Sequence, residues 1–327
     1  MKQHFIQISI FLTILAFVSC ANSPQKTKSE TKETTPAEKI NVPDFNADSA
    51  YKFIEKQLAF GPRIPESKAH ELCANYLEQS LNRFTSTVYR QNFKTRLANK
   101  RIVNGTNFIA SFQSEKKNRI LLCAHWDSRP FADKDPDESK HNMPIDGAND
   151  GASGVGVLLE IARQLNIQNT KVGIDILFFD VEDSGDYGSN DSWALGSQHW
   201  SKNTHIPNYR ARYGILLDMV GAANPYFTQE STSRQYAPDI LRKVWATAKK
   251  IGYDSYFVED KTGGILDDHV YINQNLGIPT IDIIHYTDQT TSGFFEHWHT
   301  TNDNLNSIDK FSLKVVGQTV MTVIYEE

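Results

Sequence analysis

The chain has 327 residues, 39% of them apolar, enough to bury one large core, so a single α/β domain is the expectation. Its formal charge of −5 is spread without a basic block, which argues against a nucleic-acid surface or an anionic-membrane patch, and neither a polyanion nor a lipid is expected as substrate. Beyond Cys20 only Cys73 and Cys123 remain, with no CxxC between them, so a cysteine-based metal site is excluded; both read as buried packing residues, and their pairing stays open.

Residues 1–20 combine a basic start (Lys2, His4), an apolar run from Phe5 to Val18 and then Ser19-Cys20, the anatomy of a secretory signal too short to span a membrane. FVSC, residues 17–20, resembles a bacterial lipobox, with Phe17 where Leu is usual. The expectation is an exported lipoprotein, anchored in a bacterial membrane only through its N-terminal lipid and facing the periplasm. Residues 21–42 are dominated by polar residues and read as a flexible tether, leaving 43–327 as the folded domain.

Helical periodicity is expected over 50–58 and 67–81, followed by strands over 85–93 and 106–112 joined through an Asn104-Gly105 turn, an antiparallel pair at a sheet edge. Strands at 119–124, 172–179, 213–219 and 280–284 then alternate with helices at 153–165, 193–200, 238–251 and 309–324. This alternation predicts an α/β three-layer sandwich, with a mostly parallel twisted central sheet and helices on both faces. Two polar segments, 131–146 and 184–191, are too long for minimal connections and are expected to drape over a site.

In such sheets ligands bind outside the carboxyl ends of the strands. His125-Trp126-Asp127 follows the first core strand, Glu182-Asp183 the next, Asp218 closes LLD, and His299 lies beyond the last strand in EHWHTTNDN; Asp150, in GANDGASG, precedes a helix. Singly, HWDS could be a surface turn and Asp150 a helix cap. Together, carboxylates and imidazoles from five loops predict a divalent cation, and an N/O set containing histidine favours zinc. Neighbouring residues leaving a strand point apart, so in FFDVED one of Glu182 and Asp183 can bind metal while the other faces substrate; Asp180 is expected to be buried and hydrogen-bonded.

Between about residues 118 and 304 the motifs AHWDS, GANDGASG, FFDVED, LGSQHW, LLDMVGAANP, DDHVYI with GIPTIDII, and HWHTTNDN make the sequence resemble the glutaminyl-peptide cyclotransferases, the zinc aminopeptidase relatives that close an amino-terminal glutamine to pyroglutamate. The resemblance implies one zinc per chain on Asp150, Asp183 and His299. It also implies Glu182 as general acid/base, Asp218 and Asp267 as acids sharing a proton beside the substrate, and Trp298 as pocket wall. The substrates it implies are peptides and secreted proteins with N-terminal glutamine. Asp183 stands where animal cyclases have Glu, and Asp282 where they have a histidine. The animal pocket tryptophan falls on Gly188, its role passing to Trp193 nearby.

Two other readings remain open at this stage. His125, Asp150, Asp183, Asp218 and His299 also match the ligands of a dinuclear zinc aminopeptidase, in which Glu182 would activate water. An inactive module binding peptide amino termini would be expected to lose the base, yet Glu182 is present.

Overall fold

A computed structural model describes residues 41–287 and 292–327; the expected signal segment and nearly all of the tether lie outside the described residues. Among the described residues no helix is long and apolar enough to cross a membrane.

The framework is a six-stranded sheet of order β1-β2-β4-β3-β5-β8, from β1 (Val88–Arg96), β2 (Ile102–Phe112), β3 (Arg119–His125), β4 (Gly173–Phe179), β5 (Tyr213–Asp218) and β8 (Thr280–Ile284). The strands β4, β3, β5 and β8 run parallel, whereas β1 and β2 form the expected antiparallel edge pair. Alternate residues of the parallel strands enter opposite cores, as the strand period of two requires. Ile120, Leu122, Ile174, Ile176, Ile215 and Ile281 pack under α1 (Ala47–Leu58), α2 (Lys68–Phe84), α3 (Ala152–Ile167), α6 (Pro238–Lys250) and α8 (Lys310–Tyr325). Leu121, Cys123, Leu177 and Leu216 pack with Trp200 of α4 (Leu195–Lys202) and Ile272 of α7 (Asp268–Leu276). The result is the expected three layers, and Cys73 and Cys123 are both buried and free.

Several boundaries differ from the sequence expectation. Asn104 and Gly105 are not the hairpin turn but lie inside β2, because the ring of Phe93 covers Gly105 so closely that a Cβ would sit 2.4 Å from it. The turn falls at 97–101, with Lys100 in the left-handed region at φ 68°. The helix expected from Trp193 begins at Leu195, leaving Trp193 at the end of a short 3-10 turn. Helix α7 and the small parallel sheet of β6 (Phe227–Gln229) and β7 (Phe257–Lys261), with α5 (Ser231–Tyr236), had no amphipathic signal strong enough to be read.

Candidate active site

Because β3, β4, β5 and β8 are parallel, their carboxyl ends open onto one edge, and the chain leaves that edge abruptly. Val181 (φ 57°) follows β4, Met219 (φ 48°) follows Asp218, and His299 itself has φ 54°. A left-handed conformation costs a non-glycine residue about 1–2 kcal/mol. Three such residues beside one cleft mark local strain at the place where strand-end side chains must be redirected.

Asp150 sits before α3, and the turn is completed by Gly151 at φ 93°, where a Cβ would meet the Asp127 carbonyl at 2.5 Å and the His125 ring at 3.0 Å. Only glycine fits there. Asp267 is the N-cap of α7, its side chain accepting from the Asp268 N–H at 2.5 Å. Both acids are therefore fixed by helix starts.

All eight candidate residues line one small pocket of about 70 Å³: Asp150, Glu182, Asp183, Trp193, Asp218, Asp267, Trp298 and His299. Ligand atoms of Asp150, Asp183 and His299 lie within 4.8 Å of one another. His299 Nε2 is 3.2 Å from Asp183 Oδ1 and 3.5 Å from Asp150 Oδ2, and the buried Asp183 Oδ2 has no partner. Two carboxylates and an imidazole converging around an orphaned oxygen fit a borderline divalent cation such as zinc. The atoms of His125, Asp150 and Asp218 form a second such triplet, with His125 Nε2 3.0 Å from Asp150 Oδ1 and 3.2 Å from Asp218 Oδ1. Asp267, His269 and Asp282 form a third triplet, so donor geometry alone does not fix the number of metals.

A scan against family models matches residues 107–324 to peptidase family M28. The chain belongs to peptidase family M28. Within it, the chain is 25% identical over 250 residues to the glutaminyl-peptide cyclotransferase of Bos taurus, a match spanning 68% of this chain and 66% of the bovine protein, just under two thirds of its length. Among solved structures it resembles Tannerella forsythia glutaminyl cyclase at 52% identity and TM-score 0.85, covering 87% of this chain and 100% of that one. A Zn-dependent exopeptidase from Parabacteroides distasonis is similar at 50% identity and TM-score 0.86, with 88% and 100% covered. The zinc aminopeptidase-like fold of M28 is thus the architecture described above.

Electrostatics separates the acids of this M28 site. Burial pushes the Glu182 carboxyl well above its usual range, against the pull of His125, and drives Asp218 up to about 7. Asp267 is likewise raised, chiefly by burial. For Asp150 burial acts upward too, but the hydrogen bond and charge of His125, together with the charges of His299 and Arg129, lower the carboxyl overall. Glu182 and Asp183 do diverge: Glu182 Oε2 lies 4.0 Å from His125 Nδ1, whereas Asp183 Oδ1 faces His299. Asp180 is buried as expected, accepting from the Thr106 and Val181 amides and meeting His70 Nε2 at 2.9 Å.

Sequence reasoning set Asp127 among the strand-end residues but assigned no bracing role to it or to the other residues that hold these groups in place. Asp127 accepts the backbone N–H groups of Glu182 and Asp183 at 3.0 and 3.2 Å, and Asp303 accepts those of Asn149 and Asp150 at 2.8 and 3.1 Å. Arg129 grips Asp133 with two bonds of 2.7 and 3.0 Å and donates to the Asp183 carbonyl at 3.0 Å. Asp133 in turn lies 3.5 Å from His299 Nδ1. Trp298 stacks on His299 at 3.9 Å between ring centres, and Trp193 lies parallel to it at 6.4 Å. The only advance signal was position, since HWDS and HWHTTNDN already stood at strand ends.

Proposed function

We propose that the protein is a glutaminyl-peptide cyclotransferase, converting the N-terminal glutamine of peptides and proteins to pyroglutamate with release of ammonia. The observation that carries this reading is the pocket itself. The metal-type triplet, Glu182 and the acids Asp218 and Asp267 all face one small space walled by Trp298 and Trp193, a space scaled to a single side chain. The similarity to solved glutaminyl cyclases at about half identity supports it further.

Asp150, Asp183 and His299 are the proposed holders of a single zinc, which when bound supplies a Lewis acid for the glutamine side-chain carbonyl. The pocket's aromatic walls fold the glutamine side chain back toward its own amino nitrogen, a near-attack arrangement. That nitrogen attacks the amide carbon and loses a proton to Glu182, which hands it to the departing nitrogen; one C–N bond forms, one breaks, and ammonia leaves. The raised titration of Glu182, caused chiefly by burial, suits a group that must give a proton as well as take one. Asp218 and Asp267, both raised chiefly by burial, with the charge of Asp267 adding to the rise of Asp218, share a proton and donate it as a hydrogen bond to the charge that builds on the tetrahedral centre. The nucleophile is the substrate's own, so neither an activated water nor an acyl-enzyme is required.

In the second reading, favoured by the His125, Asp150 and Asp218 triplet, the protein is an aminopeptidase with two metals. Metal analysis of the purified protein separates them: one zinc per chain is expected, and two would favour the peptidase. Residues 1–20 as a lipoprotein signal, 21–42 as a tether and 43–327 as the catalytic domain, anchored by lipid and facing the periplasm, complete the proposal.

A further inference from the structure

Arg63 lies between α1 and α2, lines no part of the reaction pocket, and is fully buried. Its guanidinium donates to three backbone carbonyls and, among the described residues, to no carboxylate: Nε to Trp126 at 2.8 Å, Nη1 to Asp146 at 2.6 Å and Nη2 to Gly147 at 2.7 Å. Taking a cation out of water is costly unless its donors are met, so the carbonyls must stand in place for the fold to accept it. In return the charge strengthens each bond, and the planar fork fixes the angle between the groups it grips.

The three carbonyls belong to two loops, both of them working parts of the site. Trp126 follows β3 and directly precedes Asp127, whose carboxylate accepts the Glu182 and Asp183 N–H groups at 3.0 and 3.2 Å. Asp146 and Gly147 form the approach to Asp150. Gly147 has φ 59°, and a Cβ on it would sit 2.6 Å from the Asp150 carbonyl and 3.0 Å from Arg63 Nη2, so this turn is closed against both. Its carbonyl also accepts the Ala152 N–H at 3.2 Å, in the first turn of α3. The backbone of Arg63 repeats the link: its N–H donates to Ser128 Oγ at 2.9 Å, and that hydroxyl donates to the Ile145 carbonyl at 3.2 Å.

We infer that Arg63 is a positioning residue, a buried clamp that sets the loop carrying Asp150 against the loop through which Asp127 holds Glu182 and Asp183. The spacing between the two carboxylate ligands, and between both and the base, is thereby fixed from outside the pocket. The inference rests on the zinc and base assignments of the cyclotransferase reading. It predicts that loosening the clamp affects metal binding and the chemical step more than substrate capture, because Trp193 and Trp298 stand on other segments.

Two substitutions test it. Arg63→Met keeps much of the volume and removes charge and donors, whereas Arg63→Lys keeps the charge but presents a single nitrogen to carbonyls on two loops. Zinc affinity, read by competition against a chromogenic chelator well below each variant's unfolding midpoint, should fall by about tenfold in Arg63→Lys and by up to about a hundredfold in Arg63→Met. At saturating zinc, kcat for Gln-Gly-NH2 should fall by about tenfold or more while KM stays within about twofold. Arg63→Lys serves alone if Arg63→Met fails to fold. Wild-type zinc affinity and kcat in a variant that merely unfolds earlier would make Arg63 an ordinary brace of the fold and overturn the inference, as would a loss confined to KM; both leave the cyclotransferase reading intact. Wild-type protein that binds no zinc, or makes no pyroglutamate from Gln-Gly-NH2, overturns that reading and the clamp with it.

Discussion

The hydroxyl of Tyr187 lies 2.8 Å from Nδ1 of His299, so the ring nitrogen pointing away from Asp150 and Asp183 is held by the loop of residues 184–191. A histidine that ligates through one nitrogen is oriented by whatever binds the other. Arg129 ties this arrangement together: it holds Asp133, donates to the Asp183 and Gly185 carbonyls, and sits over the rings of Tyr187 and Trp193 at 5.2 and 4.9 Å. Tyr187→Phe keeps the ring contacts and removes the hydroxyl, and should weaken zinc binding by about tenfold; Arg129→Met, which frees both loops, should approach a hundredfold. Competition against a chromogenic chelator reads both, and unchanged affinity in Arg129→Met would remove the brace from the account.

Glu182 is assigned the proton transfers and no metal bond. Glu182→Gln should therefore retain zinc while kcat falls by a factor of roughly 10²–10⁴. Near-normal turnover, or loss of metal with the substitution, would each contradict that assignment.

Far from the cleft, at the opposite end of β3, Arg119 makes two 2.6 Å bonds to Asp175, which also accepts from Tyr209 and Ser111. Removing one partner strands a buried charge, so Arg119→Met should cost about 3–5 kcal/mol of stability. Urea unfolding would show it as a lower midpoint, with zinc affinity unmoved. A shift in metal affinity would mean that this network reaches the site.

Burial drives His205 down to about 4, and its rings of contact are Tyr89, Trp200 and Tyr209. The folded imidazole thus resists protonation relative to an unfolded one near 6.5. Its contribution is complete above about pH 6.5 and is lost as pH falls toward 4, because the unfolded chain binds more protons in that window. The buried acids with raised pKa titrate with the opposite sign, so the difference between the wild-type and His205→Gln stability curves is the quantity to read. That difference should change by up to about 3 kcal/mol across the window; a flat difference would show that the imidazole is not held neutral.

The parallel sheet and its site edge were legible because β4 and β5 are largely apolar runs closed or followed at once by an acid, as in FFDVED and LLD. Periodicity then placed most of the helices within a few residues. What stayed hidden has physical reasons. Gly105 looked like a turn residue but is demanded by the Phe93 ring, a contact between strands that no local pattern encodes. The short α7 buries the polar Asp268, His269 and Asn273 together with Val270 and Ile272, so its buried face carries no apolar stripe for periodicity to reveal. Asp127, Asp303 and Arg129 act through backbone groups and through other side chains, and sequence alone cannot say which of many polar loop residues does so. The candidate residues themselves were found by their position at strand ends, whereas the second triplet around His125 left the metal count undecided.

Product identity tests the central claim most directly. The purified protein, given Gln-Leu-NH2 and Leu-Gly-NH2 in parallel, should release ammonia and form pyroglutamyl-leucinamide from the first while leaving the second intact. Free leucine from the second, with no pyroglutamate from the first, would contradict the account.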